Sequence, residues 1–72
     1  MATTVDARGL SCPQPVLMTL DEIKQTNETE LVVLVDTEAS RENVSRAVES
    51  QGWQVRDVKA DGETWQIEIQ KG

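Results

Sequence analysis

Hydrophobic and polar positions alternate in blocks along the chain, and the blocks predict six elements. Short runs of β-branched and apolar residues are typical of strands, whereas apolar residues spaced by three and four positions are typical of helices. The predicted order is strand, helix, strand, helix, strand, strand. The predicted bounds are 3–7, 13–24, 31–35, 38–51, 53–60 and 63–70.

The first predicted helix opens with two prolines, Pro13 and Pro15. Proline has no N–H and a φ fixed near the helical value, so it fits the first turn and no later one. The apolar face of this helix is predicted to contain Val16, Leu17, Leu20, Ile23 and the stem of Lys24. Met18 lies off that face, where it is either a docking contact or an ordinary exposed methionine.

The run 31–35 is apolar without alternation, as expected for a strand at the centre of a sheet. If helices cover one face of that sheet, the other face of the strand is either a dimer or partner contact or is shielded by neighbouring side chains.

The second helix has clear start and stop signals. Thr37 is the expected N-cap, Glu38 lies favourably in the first turn, and Gly52 is the expected stop. The predicted core face consists of Val44, Ala47 and Val48. Arg41 and Arg46 lie on this helix beside Glu42 and Glu49, which indicates either a solvated, ion-paired face or an anion site.

The last two strands are predicted to form a hairpin around Asp61 and Gly62, a dipeptide that favours a type I′ turn. Trp65, Ile67 and Ile69 alternate with polar residues, so one face of this sheet is expected to contact water. Both tryptophans are interpreted as core residues.

Together these elements predict an α/β fold: a two-layer sandwich in βαβαββ order, with a four-stranded mixed sheet and two helices on one face. Seventy-two residues are enough for one small domain spanning 1–72, with little room for an enclosed substrate cavity. Any chemistry is therefore expected at the surface.

Charge and composition narrow the function further. Seven basic residues against thirteen acidic ones give a net charge of −6, which argues against direct binding of nucleic acid. The chain has one cysteine and no histidine, which excludes internal disulfides and Cys–His or Ser–His dyads. We therefore expect no cofactor and no metal site. No apolar stretch is long enough to span a membrane, and a cytoplasmic location is expected.

The candidate catalytic residue is Cys12, which lies immediately before the helix that Pro13 begins. A thiol at a helix N-terminus faces unpaired N–H groups and the positive end of the helix dipole, and both favour the thiolate. Arg8 is expected to add positive charge, and Gly9 to allow a sharp turn. The alternative interpretation is a buried, inert structural cysteine.

The residues around Cys12 form a recognisable motif, Asp6-x-Arg8-Gly9-Leu10-x-Cys12-Pro13-x-Pro15. This motif resembles the signature of the TusA/SirA/YedF family of small sulfur-relay proteins. The similarity continues through 33–36, 41–44 and 49–53, which resemble the N-terminal module of YedF-type proteins. Ser11 stands where the tRNA-thiolation branch tends to carry arginine, so the resemblance favours the YedF type over that branch.

The resemblance implies a sulfur carrier or sulfurtransferase that holds a persulfide on Cys12, with selenium as a possible cargo. Its implied partners are a sulfur-donor protein, such as a cysteine desulfurase, and an acceptor protein. In this interpretation Pro13 and Pro15 set the helix start, Arg8 and Gly9 shape the approach, and Asp6 holds the end of the strand. A monomer is expected, with a partner contact possible on the open sheet face.

Two alternatives from other classes remain at this point. One is a nucleic-acid-binding module, because the strand order resembles the C-terminal domain of a translation initiation factor. The other is a regulatory interaction domain that keeps the thiol without transferring sulfur.

Overall fold

The fold is taken from a computed structural model that describes residues 3–10 and 14–72. The elements have the order that the sequence predicts. They are β1 (Thr3–Asp6), α1 (Gln14–Gln25), β2 (Glu30–Val35), α2 (Glu38–Ser50), β3 (Trp53–Asp61) and β4 (Thr64–Lys71). Two residues of the predicted site, Cys12 and Pro13, lie outside the described residues.

The four strands form one mixed sheet with the order β1-β2-β4-β3. β1 pairs with β2 in parallel, and β4 pairs with both β2 and β3 antiparallel. The strand, helix, strand unit gives the parallel pair β1–β2, and the final hairpin gives the antiparallel pair β3–β4. The predicted two-layer α/β fold with both helices on one face of the sheet is confirmed.

The core lies between the sheet and the helices. Alternate residues of β2, namely Leu31, Val33 and Val35, are fully buried, which agrees with the central place of this strand. The remaining buried apolar side chains come from the other elements and from the end of β1: Val5, Ala7, Val44, Val48, Trp53, Ile67 and Ile69.

The outer face of β2 carries Val32 and Leu34, which are half-buried. Their cross-strand neighbours on β1 and β4 are all polar: Thr4, Asp6, Gln66 and Glu68. Of the two alternatives for this face, the structure favours shielding by neighbouring side chains. Among the described residues, the exposed large hydrophobic side chains are found on α1 instead.

The predicted apolar face of α1 is partly wrong. Leu17 is 50% exposed and Lys24 is exposed, whereas Pro15 and Thr19 are buried. The contact face is rotated by about one residue position toward Pro15 and Thr19, and the Thr19 hydroxyl donates within the helix to the Pro15 carbonyl at 2.8 Å. A buried threonine with its hydrogen bond made inside the helix costs little, so the face can include a polar residue.

The end signals of α2 are confirmed. The Thr37 hydroxyl accepts a hydrogen bond from the Ser40 N–H at 3.1 Å, as an N-cap does. Gly52 has a φ of +85° just after the helix, and its N–H donates to the Glu49 carbonyl at 3.2 Å. Of the predicted core face, Val44 and Val48 are buried and Ala47 is half-buried.

The final hairpin forms, but its turn differs from the prediction. Asp61 pairs with Thr64, so the two turn residues are Gly62 and Glu63 rather than Asp61 and Gly62. Gly62 has a φ of +64°, and every described residue with positive φ is a glycine. A type I′ turn needs positive φ at both positions, so this is the pattern of a type II′ turn, with glycine first. In β3, a register shift between Val55 and Asp57 leaves Arg56 as an extra residue.

Candidate functional site

The candidate site begins where the parallel strands end. Because β1 and β2 run the same way, their carboxyl ends lie at one edge of the sheet. The Ala7 N–H donates to the Leu34 carbonyl at 2.9 Å and extends this pairing by one residue. The segment that leads toward Cys12 therefore starts beside the connection between β2 and α2.

Asp6 and Arg8 form an ion pair with two hydrogen bonds at this edge. Nε of Arg8 lies 2.9 Å from Oδ1 of Asp6, and Nη2 lies 2.8 Å from Oδ2. The main-chain N–H of Arg8 also donates to Oδ1 at 3.2 Å. These contacts, chiefly the side-chain hydrogen bond, lower the pKa of Asp6 to about 2, and the same hydrogen bond raises the pKa of Arg8.

The ion pair changes the expected role of Arg8. Its positive charge is offset by the carboxylate of Asp6, and Asp36 also lies close enough to raise the Arg8 pKa. Arg8 is therefore not a free cation. The positive charge that Arg8 was expected to add near Cys12 is therefore reduced by this pairing.

Gly9 makes the turn that the sequence predicts. Its φ is +77°, in the left-handed region that favours glycine. Its N–H donates to Oδ2 of Asp36 at 2.8 Å, across 27 residues of sequence. The sequence prediction missed Asp36 as a site residue. The signal was present, since an aspartate directly after the second parallel strand must lie at the same edge as Asp6.

The other described residues of the motif pack on the protein interior. Leu10 is half-buried and contacts the core cluster, and Pro15 is fully buried in the first turn of α1. Thr19, also missed, closes this turn through its bond to the Pro15 carbonyl. Both ends of the segment around Cys12 are thus attached to the body of the domain.

The second candidate, the arginines of α2, separates into two environments. Arg46 lies 3.2 Å from Glu42 on an exposed face, as the solvated interpretation expects. Arg41 is different: its guanidinium carbon lies 4.9 Å from the centre of the Trp65 ring, and its Nη2 lies 3.6 Å from Glu38. Trp65 is half-buried against the core, while Trp53 is buried as predicted.

Three further findings concern what the described part of the chain can bind. Residues 3–10 and 14–72 contain no pocket. Within the same ranges, no group of three or more acidic, histidine or cysteine side chains is placed to hold a metal ion. In neither described helix is there a segment long and apolar enough to cross a membrane.

The fold and the described motif residues define a class: a small α/β protein with Asp6, Arg8, Gly9 and Asp36 together at one edge of its sheet. Residues 3–71 match the model of the family described as "Sulfurtransferase TusA", and the chain belongs to this family. It is 34% identical over 68 residues to a protein of Archaeoglobus fulgidus named "Putative sulfur carrier protein", with 93% of each chain covered. The family and this name indicate a sulfur carrier.

A solved structure shows the same fold. The crystal structure of a SirA-like protein from Desulfitobacterium hafniense superposes with a TM-score of 0.84. It is 30% identical to this chain, and the match covers 97% of each chain. The predicted resemblance to the TusA/SirA family is confirmed.

Proposed function

We propose that Cys12 carries a sulfur atom as a persulfide and passes it to an acceptor protein. The observation that carries this proposal is the chain's membership of the sulfurtransferase family, combined with a single cysteine in its motif. The start of α1 at Gln14, two positions after Cys12, supports a thiol near a helix N-terminus. The chain has no histidine, so the thiolate itself must be the nucleophile.

The transfer step is a thiol exchange at sulfur. The Cys12 thiolate attacks the outer sulfur of a donor persulfide, R–S–SH, and a new S–S bond forms as the old one breaks. The products are Cys12–S–SH and the donor thiolate R–S⁻; the proton stays on the transferred sulfur. The reverse arrangement, with an acceptor thiolate as the attacking group, empties the carrier.

The partners of this reaction are a donor protein, such as a cysteine desulfurase, and an acceptor protein. We place the donor contact on the exposed face of α1, where Leu17 and Met18 are 50% and 37% exposed and Asp21 follows one turn later. We call these three residues the α1 outer patch. Apolar side chains beside an acidic one suit an apolar partner surface with basic residues at its rim. This position replaces the open sheet face, whose exposed side chains are polar.

The cargo and the compartment complete the proposal. A persulfide carrier requires a free thiol, which suits a reducing cytoplasm. Selenium is chemically close enough to sulfur to travel by the same exchange, and the resemblance to YedF-type proteins makes it the second candidate cargo. The two cargoes differ in mass and are therefore distinguishable on the loaded protein.

Intact-mass spectrometry tests the proposal directly. Wild-type protein incubated with a cysteine desulfurase and cysteine should gain the mass of one sulfur and lose it again with dithiothreitol, because a persulfide is reducible and higher oxidation states are not. Cys12→Ser is the control and should gain nothing. If wild type gains no sulfur from several donors, the regulatory interaction domain becomes the better account.

A further inference from the structure

We propose that Asp36 is a positioning residue for the sulfur transfer, because its carboxylate holds the main chain that leads into Cys12. The inference rests on the proposed function, which it deepens.

Three consecutive main-chain N–H groups after β1 are held by three different acceptors. The Ala7 N–H bonds to the Leu34 carbonyl, the Arg8 N–H to Asp6, and the Gly9 N–H to Asp36. The distances are 2.9, 3.2 and 2.8 Å, so the Asp36 bond is the shortest. Hydrogen bonds therefore hold the main chain as far as Gly9, three residues before Cys12.

The Asp36 bond differs in kind from the Asp6 bond. Asp6 lies two residues from Arg8, so both move together if the segment shifts. Asp36 belongs to the connection between β2 and α2, directly before the N-cap Thr37, and it reaches Gly9 across 27 residues. Asp36 itself is half-buried, although its bond to Gly9 is exposed. This carboxylate therefore ties the segment after β1 to the start of α2.

Charge argues that Asp36 serves as an acceptor and not as an electrostatic aid. A negative charge near a thiol disfavours the thiolate that the transfer requires. Asp6 and Asp36 together carry two negative charges, and Arg8 supplies one positive charge. A carboxylate at Asp36 is therefore unfavourable for the thiolate. A charged acceptor makes a stronger bond to N–H than a neutral one, so the benefit of the carboxylate is its hydrogen bond to Gly9.

The test compares Asp36→Asn, which keeps an acceptor oxygen and removes the charge, with Asp36→Ala, which removes both. Asp57→Ala is the matched control, because Asp57 also accepts a main-chain N–H, from Val58 at 2.9 Å, but lies on β3 at the opposite edge of the sheet. Three quantities are measured: exchange of the Gly9 amide proton by NMR, the rate of Cys12 alkylation against pH, and the initial rate of sulfur transfer.

Asp36→Ala should speed Gly9 amide exchange about tenfold or more. Because reacting groups must be held in place, it should also slow sulfur transfer about tenfold or more. Asp36→Asn keeps a neutral and therefore weaker acceptor, so both rates should lie between those of wild type and Asp36→Ala. Both variants should shift the alkylation profile to lower pH, since a negative charge has gone. Asp57→Ala should match wild type in all three measurements.

The inference is overturned if Asp36→Ala transfers sulfur at the wild-type rate, or if Asp36→Asn is as slow as Asp36→Ala. Should Asp36→Ala fail to fold, Asp36→Val, which also lacks an acceptor in its side chain, takes its place under the same criteria. Failure of the proposed function gives a different result, because the wild-type protein then gains no sulfur. Exchange of the Gly9 amide proton and alkylation of Cys12 do not depend on sulfur transfer, so they still measure the effect of Asp36 on the segment.

Discussion

The guanidinium of Arg8 binds the carboxylate of Asp6 through two hydrogen bonds, 2.9 Å from Nε to Oδ1 and 2.8 Å from Nη2 to Oδ2. The two side chains are 49% and 54% exposed, so the pair contributes little to the stability of the whole domain. Its effect is local, on the conformation of the segment after β1.

The pH dependence of this segment follows from the Asp6 pKa, which is lowered from 3.8 to about 2. A lowered pKa means that the stabilising contact is complete above the unfolded value of 3.8 and is lost as the pH falls through about 2. We expect the amide chemical shift of Arg8 to titrate with a midpoint near the lower value. Asp6→Asn should abolish this titration; a wild-type midpoint near 4 would show that the pair is absent in solution.

The thiol of Cys12 is expected to titrate below about 8.5, because the N-terminus of α1 favours its anion. Alkylation rates measured against pH give the apparent pKa. A value at or above about 8.5 would remove the physical basis for the nucleophile.

Arg8 and Asp6 should affect that thiol only as a pair. Arg8→Ala leaves the Asp6 carboxylate unpaired, so the apparent pKa of Cys12 should rise. The double variant Asp6→Ala/Arg8→Ala removes both charges and should return the value close to wild type. If the double variant shifts the pKa as much as Arg8→Ala does, Arg8 acts on the thiol directly.

Substitutions in the α1 outer patch should weaken binding of the donor protein without lowering the stability of the fold. Leu17→Ser and Met18→Ser change exposed side chains, so the free energy of unfolding should change by no more than about 0.5 kcal/mol, as is usual for surface substitutions. The KM for a donor protein should rise, while alkylation of Cys12 by a small reagent stays unchanged. Gln25→Ser, an exposed change on the far end of the same helix, is the control. An unchanged KM in both patch variants would place the contact elsewhere.

Nucleic-acid binding should be weak. The described ranges include every charged side chain of the sequence, and five of the seven basic residues lie in ion pairs: Arg8, Arg41, Arg46, Arg56 and Lys59. Little free positive charge is left to neutralise phosphates. A titration against tRNA at low salt measures this. Binding at micromolar concentration or tighter that weakens steeply with salt would support the nucleic-acid alternative.

A core substitution should lower the free energy of unfolding, whereas a motif substitution should change mainly the reactivity of Cys12. Ile67 is fully buried, so Ile67→Ala should lower the free energy of unfolding by about 2 to 5 kcal/mol. Pro13→Ala should change mainly the alkylation and transfer rates of Cys12. Denaturant midpoints decide the matter, and a Pro13→Ala variant as destabilised as Ile67→Ala would make the motif structural.

Periodicity predicted the order of the elements, and that order together with the hairpin predicted the mixed sheet. The caps of α2 were predicted because they depend on local signals, Thr37 and Gly52. Periodicity misplaced Leu17 on the core side, since hydrophobicity alone does not show that Thr19 can be buried once its hydroxyl bonds to Pro15. The turn at Gly62 shifted by one residue because strand register, set by pairing across the sheet, overrides the local preference of Asp61 and Gly62. Asp36 was missed because its bond to Gly9 joins residues far apart in sequence.

The extra residue in β3 has a consequence for how the molecule behaves among its own copies. β3 is nine residues long and forms an outer strand of the sheet, so one row of its main-chain donors and acceptors has no neighbouring strand. A smooth row of this length is a template for polymerisation by strand addition. The bulge at Arg56 interrupts that row, and an interrupted row is a poorer template for the addition of a strand from another copy.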